Sequence, residues 1–267
     1  MNEISKEQLL YMKRTRQHKQ FVLFFQLFLF IFFIILWEIT SRAGIINAFI
    51  FSSPSRMLAS GKELLLNGQL LKHLGITLAE TFASFFLVTA VSLFTAILLW
   101  WNNTLRQFSE IMEPYLVVLN SLPKSAMAPI FIVWLGNNMK TIIVTAISVA
   151  IFGSILNLFT SFMSTDPDKL KLIRTLHGSQ ADCLTKVILP MNLPTILSIL
   201  KVDIGLCLIG VVIGEFLAAK EGLGYLIIYG SQVFKMDWVM LSIVLLCLIA
   251  ALLYGVLNRL EKHFRNF

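Results

Sequence analysis

Six apolar stretches divide the chain, at roughly 21–40, 76–101, 111–135, 140–162, 202–219 and 238–258. An α-helix needs about 20 such residues to cross the hydrocarbon core of a bilayer, so the pattern predicts six transmembrane helices. The second stretch is long enough to tilt. The third is interrupted by Pro123 and Pro129 around Lys124. Such a break survives in a membrane only where protein or a watery cavity satisfies the freed backbone. Two readings of it stay open: a wall of a translocation route, or a kinked helix packed on its neighbours. Between the first two stretches, Ser52-Ser53-Pro54-Ser55 precedes an amphipathic piece from Arg56 to Leu71, which predicts a turn and a short surface helix.

The longest polar interruption is Leu170 to Pro194, reading LKLIRTLHGSQADCLTKVILPMNLP. Leu172, Leu176, Val187 and Ile188 supply apolar faces; Arg174, Gln180, Asp182 and Lys186 supply the polar side. Gly178-Ser179 predicts a break between two short helices, with Pro190 and Pro194 marking the start of the fifth span. Such a knob suits docking into a groove on a soluble partner. The same residues also fit an amphipathic loop lying on the membrane.

Composition settles the class. The chain of 267 residues is 57% hydrophobic and 14% charged, with a mean hydropathy of +0.79. Soluble domains carry about 25% charged residues, so this is an integral membrane protein with no room for a soluble catalytic domain. The net charge of +7 suggests membrane lipid as partner rather than nucleic acid, because the basic residues cluster beside apolar segments. With the N-terminus inside, the cytoplasmic pieces hold Lys6, Lys13, Arg14, Arg16, Lys19, Arg106, Lys169, Lys171, Arg174, Lys186, Lys201, Arg259, Lys262 and Arg265. The outer pieces hold fewer, namely Arg42, Arg56, Lys62, Lys72, Lys124, Lys140, Lys220 and Lys235, so both termini are expected in the cytoplasm. No small-x-small site follows the first span, where Thr40, Ser41 and Arg42 come next, and it reads as an uncleaved anchor. Cys183, Cys207 and Cys247 have no metal-ligand spacing and imply no disulfide framework.

Four stretches carry a resemblance. Arg174-Thr175-Leu176, Ser179, Lys186-Val187-Ile188-Leu189-Pro190 and Pro194 are similar to the coupling-loop signature of binding-protein-dependent ABC importer permeases, in particular the nitrate/sulfonate/taurine-type branch. Ser121 to Gly136, Asn157, and Gly214-Glu215 through Ile227 follow in family order and spacing, so that the likeness covers about residues 50 to 260. Two departures stand out: Lys171-Leu172-Ile173 replaces the family's Glu-Ala-Ala, and His177 occupies a place usually held by Gly, with Gly178 one position later. The resemblance implies a type I importer permease core of five helices over 75–260, with tail 1–20, anchor 21–40, coupling loop 165–195 and tail 261–267. It implies an ATPase-coupling site at Arg174, Thr175, Leu176, His177, Gly178, Ser179, Gln180, Asp182, Lys186 and Pro190. It further implies a separate ABC ATPase subunit holding ATP and Mg, an extracytoplasmic binding protein, a second permease copy (a homodimer) and a prokaryotic cell membrane. The solute would be a small anion such as a sulfonate or nitrate, or a vitamin precursor.

Polar groups at membrane depth face the bundle or water. Glu80, Asn120 and Asn157 are candidate pathway residues, with Glu215 at an outer gate and Asp203 at the inner end of span five. Alternatively the two glutamates are solvated near the interface and the amides bond between helices. Gly210-x-x-x-Gly214 has the spacing of a close helix contact, whereas Gly222-Leu223-Gly224 reads as a turn. The chain has no G-x-x-x-x-G-K-[ST] phosphate loop, so no ATP site, and its scattered His18, His73, His177 and His263 offer no metal site. An ion-coupled secondary transporter or a membrane scaffold are the rival classes; the first would need carboxylates at mid-membrane, where the sequence reads as apolar or amide.

Overall fold

A computed structural model describes residues 6–101, 111 and 114–265. Among these, all regular structure is helical. In chain order the helices are α1 (Lys6–Arg42), α2 (Ala48–Phe51), α3 (Pro54–Leu66), α4 (Gln69–Trp101), α5 (Pro114–Ser121), α6 (Lys124–Leu135), α7 (Met139–Met163), α8 (Pro167–Thr175), α9 (Gln180–Cys183), α10 (Leu189–Ala218), α11 (Leu223–Gln232) and α12 (Met236–Arg265). Five of them are long and apolar enough to span a membrane, counting α9 and α10 as one; α5 and α6 make a sixth if joined.

The core is α4, α7 and α10, with α12 and α11 packed along α10 and α4. Ala96, Leu158, Phe162 and Ile188 fill one end, while Ile142, Ala146, Val211 and Ala218 fill the other. Helix α1 exposes nearly every apolar residue from Phe21 to Leu36, and its main contacts are with α3 and α2. The expected surface helix is α3. Ser53 caps it by accepting from Arg56 N at 3.3 Å, and Pro54 takes the first helical position, where a missing N–H costs nothing.

The third span is bent by 85° between α5 and α6, at Leu122-Pro123. Pro129 lies inside α6 without breaking it. Lys124 therefore sits at the bend rather than in an outer loop, donating to Asn120 Oδ1 at 3.1 Å, with Asn120 itself against Gly153 in the middle of α7.

The fifth span departs most from expectation. Gln180 to Ala218 is one helical run of 39 residues, so the second short helix of the polar knob is the first turn of the span itself. Pro190 and Pro194 lie within it rather than at its start. A π-helical turn, Leu184–Ile188, makes this possible: Leu189 N bonds Leu184 O, five residues back, and the wider turn gives the Pro190 ring room. Asp203 consequently stands midway along α10, not at its inner end. It is buried and accepts from Ser154 Oγ of α7 at 2.7 Å, with Ser92 Oγ of α4 a further 3.0 Å from that hydroxyl. The mid-membrane is thus not free of carboxylates, and that argument against an ion-coupled transporter falls.

Gly210 and Gly214 both press on α7. A Cβ on Gly210 would lie 2.5 Å from Ala146 Cα, and one on Gly214 would lie 2.9 Å from Ile142 Cα. A Cβ on Gly205, one and a half turns earlier, would meet nothing within 4 Å. Gly210→Ala should therefore destabilise the bundle by about 1–3 kcal/mol through overpacking, while Gly205→Ala should stabilise it by about 0.5–1 kcal/mol. Unfolding of both variants in mixed micelles checks the pair, and equal effects would refute the close-contact assignment.

Candidate functional site

The polar loop is built from two local motifs back to back. Asp166 caps α8 by accepting from Asp168 N at 2.9 Å, and Pro167 follows as its first residue. At the other end His177 N bonds Arg174 O at 3.0 Å and Gly178 N bonds Ile173 O at 2.9 Å. This is the Schellman arrangement, whose left-handed residue is usually Gly. That residue is His177, with φ at 56°. Gly178 is required for another reason: a Cβ there would lie 2.5 Å from Ile173 Cγ2 and 2.9 Å from Ile173 O.

Ser179 then opens the next helix through a capping box. Asp182 N donates to Ser179 Oγ at 3.2 Å and Ser179 N donates to Asp182 Oδ2 at 2.8 Å. Asp182 also pairs with Lys186 at 2.6 Å, one turn on. Gln180 Nε2 donates to Trp101 O, tying the loop to the end of α4. Leu172, Arg174, Thr175, Leu176 and His177 are exposed around this corner, as is Pro190 farther along. The Ser-x-x-Asp spacing is a sequence signal for the box that could have been read directly.

Between the loop-side halves of α7 and α10 lies an open cavity of about 570 Å³. Its lining is uncharged, and Asn157, Thr160, Ser164, Asn192, Thr195 and Ser198 supply amides and hydroxyls. Asn192 is held by its neighbours: Ser161 Oγ donates to its Oδ1 at 2.6 Å, and its Nδ2 donates to Thr165 Oγ1 and Ile188 O, both at 2.8 Å. Asn157 thus lines a cavity, whereas Asn120 is engaged with Lys124 at the bend.

At the far end of the bundle from the loop, Glu80 and Glu215 meet. They are 2% and 1% exposed, with their carboxyl groups side by side, so neither is solvated at an interface. Glu215 serves as a cap supplied from another helix. Thr77 Oγ1 donates to it at 2.7 Å, and Gly224 N, in the first turn of α11, donates to it at 2.5 Å. Leu223 N donates to Thr77 Oγ1 at 2.8 Å and Gly222 N to His73 Nδ1 at 2.9 Å. The first N–H groups of α11, which a helix cannot satisfy internally, are thus held by α4 and α10. Gly222, at φ 119°, and Gly224 lack side chains because Glu215 fills that space. Sequence reading missed His73 and Thr77, although His73, Thr77 and Glu80 share a helical face at i, i+4 and i+7. Among the described residues, no group of three or more His, Cys, Asp or Glu is placed to hold a metal ion.

A helical core carrying a bent third span and a polar loop that runs into the fifth defines a class of fold, that of a multi-pass membrane subunit. The inward-facing MetNI methionine ABC transporter has this fold, with a TM-score of 0.65 and 18% identity over 74% of this chain and 97% of that one. Residues 89–266 match the family described as binding-protein-dependent transport system inner membrane component, and the chain belongs to that family. It is 27% identical to SsuC of Bacillus subtilis, named for aliphatic sulfonate transport, over 86% of this chain and 82% of that one. It is 26% identical to the formylaminopyrimidine transport permease ThiX of Halalkalibacterium halodurans, over 94% of this chain and 96% of that one. The protein is a multi-pass permease subunit and not an enzyme.

The loop's two motifs predict opposite effects on local stability. Ser179→Ala removes half of the capping box and should cost about 1 kcal/mol. His177→Gly relieves the left-handed residue of its Cβ and should gain about 1 kcal/mol. Amide hydrogen exchange of Ile173 to Cys183 reads both; faster exchange in His177→Gly would refute the Schellman assignment.

Proposed function

We propose that the permease works as a homodimer, with each loop, from Arg174 to Pro190, seated on a separate ABC ATPase that holds ATP and Mg. The N- and C-termini lie in the cytoplasm in this reading, and an extracytoplasmic binding protein delivers the solute to the opposite end. The observation that carries it is the continuity of the fifth span: its first turn is the capped corner of the loop, and its last residues bury Glu215 against α4 and α11. At 1.5 Å per residue the 39-residue run is about 58 Å long, enough to join a cytoplasmic contact to the outer face. A push on the corner then reaches the outer end through one element, and the π-turn with Pro190 and Pro194 is where that element can flex. Nucleotide binding would bias two packings of the same bundle by acting on this corner.

The uncharged cavity at Asn157, Thr160 and Thr195 offers polar lining for a solute on the loop side. Kinship leaves the solute open, since the two named relatives differ between an anion and a nitrogen heterocycle.

Two measurements test the reading. Purified from its native membrane, the tagged chain should bring down a Walker-motif ATPase at one copy per permease; a chain that purifies alone in mild detergent with an ATP analogue present would overturn it. Gly178→Pro loses the bond to Ile173 O and forces atoms into Ile173. That variant should insert normally yet hydrolyse ATP without transport, and normal uptake would overturn the docking assignment.

A further inference from the structure

The bend of the third span carries a charge without a counter-charge. Lys124 is half-buried there and forms no ion pair among the described residues. Lys201, on α10, is by contrast paired with Glu261. The one hydrogen bond of the Lys124 ammonium goes to Asn120 Oδ1 at 3.1 Å. An ammonium has three N–H groups, so two are left without a protein partner.

Asn120 fixes the depth of this charge. Its Oδ1 lies 3.4 Å from where a Cβ on Gly153 would stand, in the middle of α7. The next residue of α7, Ser154, is the one that bonds Asp203 midway along α10. A charge so far from either end of the spans is costly against lipid, and such residues face water, protein or a passing solute. Asp203 does not answer it, being 2% exposed and engaged with Ser154. The bond to Asn120 explains why residue 124 is a donor, but an amide would serve as well; it does not explain why the donor is charged.

The polar cavity supplies that reason. Gly153, Asn157, Thr160 and Ser164 recur along α7 at i, i+4, i+7 and i+11 and so share one face. The last three line the open cavity of about 570 Å³, whose lining is uncharged. Gly153 stands one turn beyond Asn157, about 6 Å along the axis, on the side away from the loop. The ammonium is therefore placed at the head of a cavity that offers amides and hydroxyls but no charge of its own. A cationic solute there would be repelled, and a neutral one would leave the ammonium unmatched. An oxyanion gives the free N–H groups their acceptors and offsets the charge.

We infer that Lys124 selects the charge of the solute, holding an oxyanion group at the head of the cavity lined by Asn157 and Thr160. The inference rests on the permease reading for what the oxyanion belongs to, and on the geometry alone for the site. Asn120 positions the ammonium, and the 85° bend delivers both residues to the middle of α7.

The full chain in lipid nanodiscs, without ATPase or binding protein, is tested for binding of methanesulfonate, of methanesulfonamide (similar in shape, uncharged) and of methylammonium. Methanesulfonate should bind at least about tenfold more tightly than the sulfonamide, and methylammonium should not bind. Lys124→Gln keeps a donor for Asn120 and loses the charge; it should weaken methanesulfonate about tenfold or more and leave the sulfonamide unchanged. Lys124→Arg should stay within about threefold of the parent, since charge and donors persist. Lys62→Gln, at an exposed lysine of α3, should alter nothing. Equal affinity for the two sulfur compounds, no methanesulfonate binding, or an unchanged affinity in Lys124→Gln would each overturn the proposal. Loss of both ligands in Lys124→Gln would overturn it too, by showing that the residue only holds the bend, and an equal loss in Lys62→Gln would reduce the effect to surface charge. No transport step is measured, so such a result leaves the permease reading standing, and failure of ATPase co-purification leaves the site standing.

Discussion

The contact between α7 and α10 is the constraint from which the bundle is built. In lipid, apolar surface gains little by leaving its surroundings, so helices associate through tight van der Waals contact and a few polar bonds. Gly210 and Gly214 bring the α10 backbone onto Ala146 and Ile142 in the half of α7 far from the loop. Two side-chain clusters hold the rest of the same seam. Ser154 joins Asp203 to the neighbourhood of Ser92, linking three helices at mid-height, and Ser161 joins Asn192 nearer the loop. Lys201 of α10 pairs with Glu261 of α12 and lies over the Tyr254 ring at 5.6 Å, so α12 is fixed to the same helix. Ser154, Asp203, Ser161 and Asn192 each have a bond to another helix on this seam, which makes register as well as proximity specific.

What could be read from the sequence followed from apolarity and failed where apolarity is silent. The spans themselves, the break at Pro123 and the surface helix after Ser53 were legible, because hydropathy and turn chemistry act locally. The start of the fifth span was not. Residues 180–201 include Gln180, Asp182, Lys186, Asn192 and Lys201, and two prolines, a pattern that reads as loop; tertiary packing on α7 and a π-turn made it helix. The same shift carried Asp203 from a helix end to a helix middle. Glu215 illustrates a second blind spot. Its partners come from α4 and α11, and no one-dimensional pattern tells that a helix cap is supplied by a residue on another helix. The loop was legible as a corner, but the reason for Gly178 was not: the left-handed turn is taken by His177, and Gly178 is small because Ile173 touches it.

These corrections alter the mechanical picture more than the architectural one. Two separate short helices before the fifth span would form a flexible joint, able to absorb displacement at the loop. A capped corner that continues into the span cannot do so; the deformation must appear at the π-turn or at the contacts farther along. Those contacts are unequal. At mid-height and at the Gly210 and Gly214 crossing α10 is pinned to α7 by backbone proximity, and on another side Glu215 joins it to the first turn of α11 and to Thr77. Tight packing resists small displacements, while a cap of a few hydrogen bonds can exchange partners at comparable energy. Near Glu215, α10 therefore carries both kinds of contact, and displacement there would be taken up by the cap rather than by the close packing on α7.

Glu80 sits where such a rearrangement would be felt. It touches Glu215 from α4, so any tilt of α10 changes the separation of the two carboxyl groups and with it the electrostatic balance between them. When the groups are in contact, full charge on both is disfavoured; when they part, that penalty weakens. The charge balance of the pair and the position of α10 are then linked, and by thermodynamic reciprocity each biases the other. A helical run that opens at the capped corner of Ser179 and carries Glu215 in its last turns joins the loop to this pair within a single element, without a relay of side chains between them.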